Sequence, residues 1–314
     1  MQRPSVVVLT VLTLLGVASA PAPAATEHGD DRASTSTTNV ATGASTHELS
    51  YGGAARTYRV YVPDSLPRGR VPVVVVLHGG FGTGAGAARQ GAWDEAALAH
   101  GFVEIAPDGL TRSWNAGECC GPAMRNQVDD VGFVLAVLDD VEKDLEIDPE
   151  RVFATGISHG GMMAYRLGCE AGDRFAAIAP VAATVVTDAC VPEVPVSLLH
   201  VHGLADGNVP FDGGLPTKSF QVDPPSYAPV RDGIAPFVRA DGCRATPRVA
   251  KHGVVTTERW RRCDDGTAVR LITIADGGHS WPEGHRMADI LDPPSDALDA
   301  TATIWRFFAA HPRE

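Results

Sequence analysis

Features that would indicate a metal enzyme or a nucleic-acid-binding protein are missing from this sequence. There is no CxxC pair and no HExxH segment, so a metal site has little support and no cofactor is expected. Lys and Arg number 26 against 38 Asp and Glu, and the net charge of −12 argues against nucleic acid and anionic membrane surfaces as partners. No internal repeat is visible, and 314 residues with 44% hydrophobic content suffice for one substantial core. We therefore expect a single domain.

The apolar run near the N terminus is too short for a comfortable membrane span. Residues 6–17 follow Arg3 and precede the small-residue site at 22–24, a pattern typical of a secretory signal peptide over residues 1–24. The first cysteine, Cys119, lies far from the cleavage site, which disfavours a lipid anchor. We therefore expect a secreted, extracellular protein without a membrane anchor.

Residues 25–46 are rich in Ala, Thr, Ser, Gly and Asp, which predicts a flexible segment before a folded domain over residues 47–314. Within this domain, apolar runs typical of buried strands alternate with helical patterns. The expected strands are 57–62, 71–77, 102–106, 152–155, 175–181, 196–201 and 269–274, and the expected helices are 87–100, 128–145, one after residue 158, and 295–309. This order implies an α/β fold with a doubly wound, mostly parallel sheet and no large lid.

The six cysteines suit an exported protein with disulfides. Cys243 and Cys263 bracket a hairpin-like stretch and are expected to pair, and Cys169 with Cys190 is a second expected pair. Cys119 and Cys120 are adjacent, and their Cα spacing of about 3.8 Å lies below the usual disulfide range. They are expected to be free or to bridge elsewhere, or to form a strained vicinal bond.

The segment Gly156-Ile-Ser-His-Gly160 follows a short strand pattern and precedes a helical one. Strand, sharp turn and helix form the context of a nucleophile elbow, in which flanking glycines give room to a strained serine. The sequence therefore predicts Ser158 as a nucleophile. A serine hydroxyl needs a positioned base, and the base needs a group that fixes its tautomer.

In this arrangement the acid follows the serine in the chain and the base follows the acid, and both are expected on loops after later strands. Asp206 stands just beyond the strand at 196–201 and is the expected acid, with Asp212 as the alternative. His279 follows the last strand and is the expected base, and His285 is the alternative.

An oxyanion hole needs two backbone donors. The first expected donor is the amide of His159, directly after the serine. The second should come from the glycine-rich loop after the strand at 71–77, with Gly80 as the first choice and Phe81 as the next.

Six sequence blocks together resemble one known family. They are LHGGFG at 77–82, SWNAGECCG at 113–121, VDDVGF at 128–133, GISHGGMMAYRL at 156–167, HGLAD at 202–206 and GGHSWP at 277–282. They look like the secreted esterases that include polyhydroxybutyrate depolymerases, feruloyl esterases and acetylxylan esterases of carbohydrate esterase family 1. The resemblance covers residues 47–312, implies an α/β-hydrolase fold, and implies a catalytic triad of Ser158, Asp206 and His279.

The predicted activity is hydrolysis of a carboxylic ester through an acyl-enzyme. The alternatives are an acyltransferase or peptidase on the same fold, or a secreted carbohydrate- or lipid-binding protein with a vestigial triad. The chain ends shortly after residue 308, which leaves no room for the polymer-binding domain common in polyester-degrading members, so a soluble or oligomeric ester is expected. Phe81, Trp114 and Trp281 are candidate substrate contacts. Oligomeric state stays open.

Overall fold

The apolar run at residues 71–77 forms a strand that is buried on both faces. Val73, Val75 and Leu77 pack into one hydrophobic cluster, while Val74 and Val76 pack into a second. Because side chains alternate across a strand, the two clusters lie on opposite faces of the sheet. Two covered faces are what a doubly wound sheet requires, so this expectation is confirmed.

The structure is a computed structural model that describes residues 41–187, 189–219, 224–288 and 291–313. The predicted signal peptide at 1–24 lies outside the described residues, as does most of the predicted flexible segment at 25–46. The first strand begins at Gly43, four residues before the expected start of the folded domain at His47.

Ten strands and seven α-helices are found in the described ranges. The strands are β1 (Gly43–Tyr51), β2 (Ala54–Val62), β3 (Val71–Leu77), β4 (Val103–Pro107), β5 (Ile147–Ile157), β6 (Ala177–Val181), β7 (Ser197–Gly203), β8 (Arg248–His252), β9 (Val255–Arg259) and β10 (Val269–Ile274). The helices are α1 (Gly84–Gln90), α2 (Trp93–His100), α3 (Pro122–Arg125), α4 (Asp130–Val141), α5 (His159–Glu170), α6 (Val230–Ala240) and α7 (Ala300–Ala310). None of the helices in this described portion is both long and apolar enough to cross a bilayer.

The strands form one sheet in the order β1-β2-β4-β3-β5-β6-β7-β10-β9-β8. Its centre, from β4 to β10, is parallel. The outer strands β1, β2, β9 and β8 pair antiparallel. The predicted mostly parallel sheet is confirmed. The carboxyl ends of β3, β5, β7 and β10 consequently lie at one edge, where ligand-facing groups of such sheets are found.

The helix expected at residues 87–100 is divided into α1 and α2. Ala92 lies between them with a left-handed φ of 51°, which is incompatible with a continuous helix. A Cβ at Gly91 would lie 2.4 Å from Trp93 Nε1, so only glycine fits where the chain turns back on the indole.

Two acidic residues organise the start of α4. Asp129 caps the helix by accepting a hydrogen bond from the Gly132 amide at 2.9 Å. Asp130 is buried and forms an ion pair with Arg56 at 2.7 Å. Both carboxylates therefore have structural partners.

All six cysteines form disulfides. The predicted pairs Cys169–Cys190 and Cys243–Cys263 are confirmed. Cys119 and Cys120 bond to each other, which decides the pairing that their spacing had left open.

Asp241, which follows α6, is a buried carboxyl group with 0% exposure. Its Oδ1 accepts a hydrogen bond from the Val196 amide at 3.1 Å. Burial raises the pKa of Asp241 to about 7, although the Val196 amide opposes the shift. The folded state therefore holds a proton on this side chain over a pH range in which the unfolded chain has lost it.

We expect Asp241→Asn to remove a pH dependence of stability. Because the pKa of Asp241 is higher in the folded state than in the unfolded chain, the group stabilises the folded state. This contribution is complete at pH values below the pKa of the unfolded chain, about 4, and is lost as the pH rises through the folded-state pKa of about 7. Between pH 5.5 and pH 8 the wild type should lose on the order of 2 kcal/mol of unfolding free energy through this group. Urea unfolding of both proteins at the two pH values measures the difference.

Asp232→Asn is the matched control because Asp232 is an exposed carboxylate on the adjoining helix α6. Its effect on unfolding should be the same at both pH values. An equal pH response in Asp241→Asn and the wild type would contradict the assignment.

Candidate active site

The G-x-S-x-G segment forms the connection between β5 and α5. Ser158 has φ 56° and ψ −123°, a conformation that residues other than glycine rarely adopt. A Cβ at Gly156 would lie 2.6 Å from the Leu77 carbonyl oxygen, and one at Gly160 would lie 2.2 Å from the same atom. The two flanking glycines are therefore required where the turn packs against the end of β3.

Backbone hydrogen bonds fix the position of this turn. The Ser158 amide donates to the Val181 carbonyl of β6 at 2.9 Å, and the Met162 amide donates to the Ser158 carbonyl at 2.9 Å. The amides of the first turn of α5, starting at His159, have no acceptor within the helix. The helix dipole adds positive potential at the same place, which suits a developing negative charge.

Asp206 and His279 meet at the end of two neighbouring strands. Asp206 follows β7, His279 follows β10, and Asp206 Oδ2 lies 2.7 Å from His279 Nδ1. Asp206 Oδ1 accepts hydrogen bonds from the amides of Asn208 at 2.8 Å and Val209 at 2.9 Å. An ionised carboxylate only accepts, so Nδ1 carries the proton and Nε2 of the neutral ring is left as an acceptor.

The loops after β7 and β10 are packed backbone to backbone. The Ala205 amide donates to the Gly277 carbonyl at 2.9 Å. A Cβ at Gly203 would lie 2.1 Å from the Gly277 carbonyl oxygen. The distance between the acid and the histidine therefore depends on a close backbone approach that glycine permits.

The two alternative residues lie at the surface. Asp212 is exposed at the wall of an open cavity of about 340 Å³. His285 is also exposed, and its backbone amide donates to the Gln90 carbonyl at 2.8 Å. The structure thus brings together Asp206 and His279 and leaves the alternatives outside the pair.

Asp292 is a supporting residue that the sequence did not indicate. Its Oδ2 accepts from the His279 amide at 2.9 Å, and its Oδ1 accepts from Lys218 Nζ at 2.6 Å. These bonds tie the histidine loop to the loop after β7. No sequence motif links the three residues, because the contact depends on how two long loops meet.

The loop after β3 lies beside the serine. A Cβ at Gly79 would lie 3.7 Å from the Ser158 Cβ. The Phe81 amide already donates to the Arg112 carbonyl at 2.9 Å, whereas the Gly80 amide donates to no acceptor among the described residues. Of the two candidates for the second donor, the Gly80 amide is therefore the one available to a ligand.

The three aromatic candidates differ in exposure. Trp114 is 0% exposed and donates to the His78 carbonyl at 2.8 Å, and Trp281 is 3% exposed and donates to Thr301 Oγ1 at 2.9 Å. Both indoles have structural partners in the interior. Phe81 is 65% exposed, so it is the candidate with a ring open to solvent.

His159 connects the nucleophile turn to the vicinal disulfide. Its ring is buried, and its Nε2 lies 3.4 Å from the Cys120 amide and 3.3 Å from the Cys119 carbonyl. Burial lowers the pKa of His159 to about 4, so the ring is neutral near pH 7. The side chain therefore contributes packing and weak hydrogen bonding behind the turn, while the backbone amide of the same residue is the first of α5.

Comparisons with known proteins agree with this architecture, although no protein-family model matches the chain. The chain is 33% identical over 254 residues to the putative esterase NocK of Nocardia uniformis subsp. tsuyamanensis, covering 76% of this chain and 74% of that protein. It is 31% identical over 188 residues to feruloyl esterase B of Piromyces equi, covering 58% of this chain and 34% of that protein. The acetyl xylan esterase from Aspergillus awamori superposes with a TM-score of 0.59 at 14% identity, over 85% of this chain and 99% of that chain. The fold is the α/β-hydrolase fold.

Substitution of each candidate acid should show whether Asp206 or Asp212 acts with the histidine. Asp206→Asn preserves shape but favours the wrong histidine tautomer, a change that lowers kcat by about four orders of magnitude in serine proteases. Asp212→Asn should be nearly silent. His279→Ala should be severely damaging and His285→Ala much milder. Measuring kcat on one activated ester for the four variants checks the assignment, which a crippled Asp212→Asn or His285→Ala would contradict.

Proposed function

The chain belongs to the family of carboxylic ester hydrolases that includes the putative esterase NocK, and we propose that it is a secreted serine esterase of the polyhydroxybutyrate depolymerase and feruloyl esterase type. The proposed reaction is ester hydrolysis through an acyl-enzyme on Ser158. The observation that carries this proposal is the 2.7 Å contact between Asp206 Oδ2 and His279 Nδ1. It lies at the same sheet edge as the strained serine turn.

In the acylation step, His279 Nε2 accepts the proton of Ser158 as the serine oxygen attacks the ester carbonyl carbon. The resulting imidazolium is stabilised by the ionised Asp206 at Nδ1. The other oxygen of Asp206 accepts two backbone amide bonds, which hold the carboxylate in place beside His279. Collapse of the tetrahedral intermediate passes the proton from His279 to the leaving alcohol.

The tetrahedral oxygen is held by the amides of His159 and Gly80. The His159 amide begins α5, and the Gly80 amide lies in the loop whose neighbour Gly79 is packed against the serine. In a dry site, loss of one such donor costs roughly 3 kcal/mol of transition-state stabilisation. In the second half of the reaction, His279 deprotonates a water that attacks the acyl-enzyme, and the same donors hold the second intermediate.

The cavity beside the acid supports an uncharged ester with an apolar group as substrate. Its lining residues are Leu204, Asp206, Pro210, Phe211 and Asp212. Leu204 is 48% exposed, so it offers apolar surface next to the site. The carboxylate of Asp212 at the wall disfavours a substrate with a negative charge in this cavity.

Export is supported by two features of the chain. Three disulfides form among the six cysteines, and structural disulfides persist in oxidising compartments. The N-terminal residues 1–24 have the composition of a secretory signal peptide.

We expect Ser158→Ala to abolish the burst of p-nitrophenol that an acyl-enzyme mechanism gives with p-nitrophenyl esters. In subtilisin, removal of the nucleophile lowers kcat by about six orders of magnitude, and a loss of that scale is expected here. Because the double change Ser158→Ala/His279→Ala removes parts of one unit, it should lose little beyond either single change. Stopped-flow kinetics with the purified protein measures both burst and turnover.

Ser50→Ala is the matched control because Ser50 is exposed on the edge strand β1, which β2, β4 and β3 separate from β5, the strand that precedes Ser158. It should keep the wild-type burst. A wild-type burst in Ser158→Ala would exclude the acyl-enzyme at this serine. The same assay with feruloyl, acetyl-xylan and 3-hydroxybutyrate oligomer esters then ranks the substrates.

A further inference from the structure

A buried row of hydrogen bonds leads from α5 to the loop that carries Asp206. Tyr165 Oη lies 2.7 Å from His200 Nδ1, and His200 Nε2 lies 3.0 Å from His202 Nδ1. His202 Nε2 lies 2.8 Å from the Val209 carbonyl oxygen. The three side chains are between 0 and 2% exposed, so no water competes for these bonds.

The chemistry of the last acceptor sets the direction of every bond in this row. A carbonyl oxygen only accepts, so His202 Nε2 must carry a proton toward Val209. His202 Nδ1 is then an acceptor in the neutral ring and takes the proton of His200 Nε2, which leaves His200 Nδ1 as the acceptor for the Tyr165 hydroxyl. Burial lowers the pKa of both histidines, so the neutral forms that this pattern requires are the stable ones.

The row ends beside the Asp206 carboxylate. His202 Nε2 lies 3.5 Å from Asp206 Oδ2, the oxygen that bonds to His279. That separation is too long for a strong hydrogen bond, but the positive end of the N–H dipole still faces the carboxylate in a dry environment. Val209 accepts the hydrogen bond from His202 at its carbonyl, and its amide donates to Asp206 Oδ1.

We propose that His202 is a positioning residue for Asp206. Its Nε2–H group donates to the Val209 carbonyl, and the Val209 amide in turn donates to Asp206 Oδ1. The same Nε2–H group lies near Asp206 Oδ2, the oxygen that bonds to His279. This inference rests on the proposed function, because it assigns His202 a role only through the acid. The ring itself does not touch the substrate or the serine in this scheme. Its loss should therefore lower kcat more than it changes KM.

Substitution of His202 by asparagine or by glutamine tests the contacts of its two ring nitrogens separately. His202→Asn places an amide near the Nδ1 position, where it can meet His200, and leaves the Val209 carbonyl without its donor. His202→Gln reaches the Nε2 position and can donate to Val209. We expect the Asn variant to lose about 10- to 100-fold in kcat, with KM within about threefold of wild type, and the Gln variant to retain kcat within about threefold.

Tyr58→Phe is the control for a loss of stability alone. Tyr58 is buried on β2 and donates to Asp140, in a part of the fold that lies away from the acid loop. Its unfolding midpoint should fall while kcat stays unchanged. Thermal unfolding of all variants shows whether the two His202 changes destabilise the protein to a similar extent.

A double-mutant cycle tests whether His202 acts through the acid. In the Asp206→Asn background, His202→Asn should lower kcat less than about twofold further, because the group it positions is already disabled. Equal kcat in the Asn and Gln variants, or the same loss in both backgrounds, would overturn the proposal. If Asp206→Asn itself keeps near-normal kcat, the proposed function fails instead, so the two failures are distinguishable.

Discussion

The carboxyl edge of the sheet depends on backbone contacts too close for any side chain. Gly160 meets the Leu77 carbonyl, and Gly203 meets the Gly277 carbonyl, at separations where a Cβ would clash. The first contact places the serine turn on the end of β3, and the second joins the loops of the acid and the histidine. The geometry of the candidate triad therefore follows from how strands end and meet, and only secondarily from side-chain packing.

Hydrogen-bond partners divide the buried histidines of this region by role. His78, His159, His200 and His202 are buried, and burial lowers the pKa of each, so they act as neutral hydrogen-bonding groups with a fixed tautomer near pH 7. His279, in contrast, bonds to a carboxylate through Nδ1. The protein thus uses the same side chain for rigid support of the loops and for the proposed proton transfer.

Periodicity predicted the central strands well and the periphery poorly. The bounds of β3 and β10 coincide with their apolar runs, since a strand buried on both faces has little freedom in composition. The edge strand β1 is largely exposed and carries no such run. Helix α6 contains Pro236 in its interior, a residue that argues against a helix locally and is tolerated because the apolar face of α6 packs in the core.

The sequence by itself determined the strand–turn–helix around Ser158, the chain order of serine, acid and histidine, and two disulfide pairs, because these depend on local spacing and composition. Tertiary structure decided that Asp206 rather than Asp212 meets His279, and that Cys119 bonds to its neighbour. It also placed His202 behind the acid. The physical reason is that hydrogen bonds act over about 3 Å, and which distant residues come that close is set by strand order and loop packing, which no local pattern encodes.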